Sequence, residues 1–61
     1  MKNINALLEA RHHLGLARLE LMLVSEKLTQ TGFFSDTIKE IDDTVNDLTK
    51  AVEQVSKHIK D

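Results

Sequence analysis

The stretch IKEIDDTVNDLTKAVEQVSKHI, residues 38–59, decides the fold, because its aliphatic residues recur at alternating intervals of three and four. Ile38, Ile41, Val45, Leu48, Val52, Val55 and Ile59 form one unbroken heptad stripe, the pattern of a helix that packs along a seam. Between them stand Lys39, Glu40, Asp43, Asn46, Asp47, Lys50, Glu53 and Lys57, so only a narrow strip is made for burial. Asp36, Glu40, Asp42, Asp43 and Asp47 come early and Lys50, Lys57, His58 and Lys60 late, an order that complements the helix dipole. Ser35 or Asp36 is the expected N-cap, with Thr37 and Glu40 as an alternative capping box.

Upstream, the first half keeps the same rhythm. Leu7, Leu14, Leu21 and Leu28 alternate with Ala10, Ala17 and Val24. Folding the chain at Gly32 sets seven positions against seven. Leu28 comes near Ile38, Leu21 near Val45, Leu14 near Val52 and Leu7 near Ile59. The small residues then fall opposite large ones: Ala10 near Val55, Ala17 near Leu48 and Val24 near Ile41. Gly32 suits the left-handed position past a helix end, and Thr29 to Ser35 has the length of an antiparallel connection.

With no proline, and with Phe33 and Phe34 the only aromatics, the composition favours helix throughout. The expected fold is all-α: an antiparallel, coiled-coil-like two-helix hairpin. The first helix spans about residues 3–30, the turn about 31–35 and the second helix about 36–60.

A second apolar face runs along the first helix: Ile4, Leu8, Leu16, Leu19, Met22 and Leu23, with His12 and Gly15 among them. Arg11, Arg18 and Ser25 separate it from the seam on one side, and Glu9, His13, Glu20 and Lys27 on the other. A helix that is apolar on two sides needs two partners. The expectation is therefore self-association through Leu8, His12, Gly15, Leu16, Leu19, Met22 and Leu23, giving a dimeric four-helix bundle. A client protein helix is the other occupant this face suits. Gly15 would let a partner helix approach closely, or else is a tolerated helix glycine costing about 1 kcal/mol.

Length and charge bound the remaining readings. A start at Met1 and 61 residues read as a short complete product with one small domain. Chains this short usually need disulfides, a metal or oligomerisation to hold a fold. The absence of cysteine removes disulfides, thiolate metal sites and thiol nucleophiles, and fits a reducing compartment. Net charge is −2, without the basic excess of a nucleic-acid binder. No signal peptide is apparent and the apolar window Leu14 to Val24 is about half a membrane span, so the expected location is the cytoplasm, with no membrane contact.

Several residues invite chemistry. Glu9 and His12 share the Glu-x-x-His spacing of carboxylate-bridged metal bundles, but the second helix offers only aliphatic seam residues to complete such a site, so no metal or other cofactor is expected. Phe33 and Phe34 at the tip read as a plug over the bundle end, with Leu28 and Ile38, or as a partner anchor where one is exposed. Arg11 and Arg18 lie seven residues apart, and a two-fold mate would double them into a stripe able to grip phosphates. In size, turn position and helix layout the chain resembles the Rop-type RNA-binding bundles of plasmids, without a shared motif. That resemblance implies an alternative function as an RNA-binding regulator on a dimeric bundle. No phosphate-binding glycine loop, nucleophilic triad or concave pocket is legible, so no enzyme is expected. The preferred reading is a non-enzymatic interaction or adaptor module of the small chaperone or regulator type.

Overall fold

The computed structural model describes residues 3–59. It contains two helices, α1 (Ile4–Thr31) and α2 (Ser35–Ile59), packed along each other as a rod of 48 × 14 × 12 Å. No strand occurs among the described residues. The expected continuation of the second helix to residue 60 lies outside them.

Each helix end has a local cause. Asn3 caps α1: its side-chain oxygen accepts from the Ala6 N–H at 3.0 Å, and its carbonyl accepts from the Leu7 N–H at 3.1 Å. At the other end Gly32 adopts φ 77°, and its N–H donates to the Thr29 carbonyl at 3.2 Å, a left-handed stop that glycine adopts without steric cost. The Thr31 hydroxyl donates to the Leu28 carbonyl at 2.6 Å and accepts from the Phe33 N–H at 3.1 Å, holding the chain as it leaves the helix.

The entry to α2 differs from the expected side-chain cap on Ser35, Asp36 or Thr37. The helix starts at Ser35, so Phe34 occupies the capping position, and its carbonyl accepts from the Ile38 N–H at 2.8 Å. Phe34 has φ 67°. A bulky residue in the left-handed region is strained, and such positions typically cost about 1–3 kcal/mol. The short connection holds two residues with positive φ, and only one of them is glycine.

The half-buried residues define the seam. On α2 they include the whole heptad stripe from Ile38 to Ile59, joined by Thr49, Ala51 and Ser56. On α1 the half-buried row is Leu7, Arg11, Leu14, Arg18, Leu21, Ser25 and Leu28, and Gly15, beside Leu14, is half-buried as well. The leucine row is thus in place, but its expected companions are not. Ala10, Ala17 and Val24 are exposed, so they are less enclosed than the expected pairing with Val55, Leu48 and Ile41 implies. α1 is instead turned so that Arg11, Arg18 and Ser25 flank the leucines.

Two hydrogen bonds cross to α2 on that side. Ser25 Oγ donates to Asp42 Oδ1 at 3.0 Å, and Arg18 Nη1 donates to Thr49 Oγ1 at 3.3 Å. One heptad forward on α1 corresponds to one heptad back on α2, which fixes an antiparallel register. The arginine stems add hydrocarbon to the seam while the guanidinium heads reach its edge. Alanines on that side would supply neither.

Candidate interaction face of the first helix

With α2 against one side of α1, the second apolar face is left uncovered. Ile4, Leu8, Leu16, Leu19, Met22 and Leu23 remain between 39% and 56% exposed, and no described residue is fully buried. Burial of large aliphatic side chains is worth about 1.5–3 kcal/mol each, so the isolated hairpin forgoes much of the stabilisation its sequence carries.

Gly15 shapes the middle of this face. It forms the floor of a shallow open groove bordered by Leu8, Arg11, His12, Leu16, Arg18 and Leu19. A Cβ placed on Gly15 would meet nothing within 4 Å. No contact inside the hairpin therefore demands glycine here, although glycine weakens a helix interior by about 1 kcal/mol relative to alanine. A second hollow continues the face towards the tip, between Leu19, Met22, Leu23 and Glu26. At the open end of the hairpin a third dip is lined by Asn3, Ala6, Leu7, Ala10 and His58.

His12 and His13 are both exposed, their rings edge-to-face with centroids 5.6 Å apart. Among the described residues, no group of three or more histidines, cysteines or carboxylates stands together where a metal ion would bind.

The arginines stand between the two apolar faces, as their spacing suggests, but are less open than a phosphate-gripping stripe requires. Arg11 and Arg18 are half-buried between seam and face. Arg18 commits Nη1 to Thr49, whose own hydroxyl donates to the Val45 carbonyl at 3.1 Å, and its Nε is buried without a hydrogen-bond partner. That orphaned donor marks a side chain drawn into the seam by packing.

The polar flank formed by Arg18, Ser25, Asp42 and Thr49 is the feature that sequence reasoning missed. Its signal was present as polar residues at heptad spacing on both helices, Arg11, Arg18, Ser25 against Asp42, Thr49, Ser56. A search weighted by hydropathy passes over it.

At the tip, Phe33 is 73% and Phe34 55% exposed, so neither plugs the end of the hairpin. Both stand in the connection where Phe34 has a positive φ and the Phe33 N–H donates to Thr31 Oγ1.

No family model, curated protein or solved structure matches this chain. Its own geometry therefore carries the functional argument. No helix among the described residues is long and apolar enough to cross a membrane.

Proposed function

We propose that this protein is a non-enzymatic interaction module that self-associates through the second apolar face of α1, the two α1 helices lying inside a four-helix assembly and the two α2 helices outside. The observation that carries this reading is the row of six large aliphatic residues left 39–56% exposed on a chain with no fully buried described residue. Contiguous apolar patches of this kind mark association surfaces on soluble proteins. The narrow stripe of α2 is already engaged with α1, so α1 alone has a side to offer. Exposed Phe33 and Phe34 supply a further anchor for a partner at the tip, as is common for aromatic residues at interfaces.

The Rop-like alternative, an RNA-binding regulator gripping phosphates with Arg11 and Arg18, has less support. Both guanidinium stems are half-buried, and Arg18 directs a donor at Thr49. Phosphate binding requires such donors to be free.

The test is solution mass across a dilution series, with helicity followed on the same samples. A dimer that loses helicity as it dissociates is the expected result. A chain that stays monomeric and fully helical at every concentration would sink the reading. A weakly helical monomer that gains helicity only on adding another protein would move the assignment to a client helix. RNA binding that falls steeply with added salt would favour the alternative.

A further inference from the structure

We infer that the occupant of the second face of α1 is the same face of a second copy lying antiparallel to it, with His12 of each chain seated over Gly15 of the other. This rests on the self-association proposed above and adds its orientation and register. An antiparallel alignment that sets Leu8 against Leu19 also sets His12 against Gly15, and brings Ile4 level with Leu23. Each pair recurs on the other side of the two-fold axis, so the face is complementary to itself, as an isologous contact requires. The imidazole fills the groove above Gly15, where a Cβ meets open space. Close packing places large against small in this way.

A parallel arrangement sets like against like. Gly15 would face Gly15 and leave a hole at the centre, with two imidazoles crowded at the neighbouring level. The flanks favour the antiparallel choice as well. Antiparallel helices bring each flank against its own copy, so Leu16 of one chain lies on the same side as Leu16 of the other, about 8 Å from it along the axis. Parallel helices would put those leucines opposite Arg11 and Arg18. In the antiparallel contact the arginine flank does meet itself, but Arg18 is turned towards Thr49 of α2 and away from its mate.

The available area matches what a dimer needs. Six large side chains that are 39–56% exposed leave on the order of 500 Å² of apolar surface per chain, and about 1,000 Å² when two faces meet, the lower bound for a specific interface. A net charge of −2 sets little repulsion against it.

The chain has no cysteine, so introduced cysteines report contacts without ambiguity. Leu8→Cys and Leu19→Cys chains are mixed and oxidised gently. The mixed disulfide should dominate and the two homodisulfides be scarce, because two copies of residue 8 would stand roughly 16 Å apart along the axis, beyond disulfide reach. Homodisulfides without the mixed species would overturn the antiparallel register while leaving self-association intact. Gly15→Leu, in a chain otherwise unchanged, keeps the hairpin because the site is open, and should weaken the dimer at least tenfold by meeting His12. Unchanged or tighter association of that variant would overturn the inference independently of the cysteines. A wild-type chain that remains monomeric would remove the proposed self-association itself, and this register with it.

Discussion

The two helices of this hairpin have similar lengths and opposite designs. α2 gathers its apolar residues into one stripe, surrounds it with charge, and carries Asp36 in its first turn and Lys57 and His58 in its last. α1 spreads its apolar residues over two sides and has no acidic residue in its first turn and no basic residue in its last. One helix is satisfied by a single neighbour. The other has its ends fixed by Asn3 and Gly32 and still exposes a row of leucines. Amphipathicity measured helix by helix thus separates an element that is finished within the chain from one that is not.

The sharpest way to break this comparison is to charge the unfinished side. Leu19→Glu should cost about 3 kcal/mol or more of association, because the carboxylate would have to be buried without a partner. Sedimentation at concentrations where the wild type is dimeric should then show monomer with reduced helicity. Retained dimer would mean that the outer face of α1 is idle.

Truncating the finished side should act within the chain. Leu48→Ala removes a half-buried side chain from the middle of the α2 stripe and should lower stability by roughly 1–3 kcal/mol, less than for a fully enclosed leucine. Denaturant unfolding measures this, and a loss below about 0.5 kcal/mol would place the seam elsewhere.

Between the helices, Phe34→Gly should raise stability by about 1 kcal/mol through relief of the left-handed strain, offset in part by the greater freedom of glycine in the unfolded chain. Thermal unfolding shows the sign. A marked fall would indicate that the Phe34 ring makes a stabilising contact in the assembled protein.

The smallest effect is expected at Ala17. Hydropathy pairs Ala17 with Leu48, which predicts overpacking on substitution by leucine. The exposed position observed here predicts a change within about 0.5 kcal/mol for Ala17→Leu by the same unfolding assay. A loss of 1 kcal/mol or more would restore the alanine seam.

Much of this architecture was legible before any coordinates. Period, composition and Gly32 were enough for two helices packed as an antiparallel hairpin, and the second apolar row on α1 was read residue for residue as uncovered by α2. The capping of α2 was not legible, because it depends on Phe34 adopting a backbone conformation that sequence propensities disfavour. The exposure of both tip aromatics was one of two readings left open by the sequence. For the candidate site, the apolar residues and Gly15 were identified together, whereas the half-buried placement of Arg11 and Arg18 was not. Arginine scores as solvent-facing by its head even where its stem packs.

The sequence by itself determined that the chain forms helices, where it reverses, and that α1 carries more apolar surface than α2 covers, since these depend on local torsions and on the angular positions of side chains around one helix. Only the tertiary structure decided which flank of the leucine row α1 turns towards α2. Ala10, Ala17 and Val24 on one flank and Arg11, Arg18 and Ser25 on the other differ by a single residue step around the helix. On the side that α1 turns inward, Asp42 and Thr49 accept hydrogen bonds from Ser25 and Arg18 across the seam, which alanine could not donate.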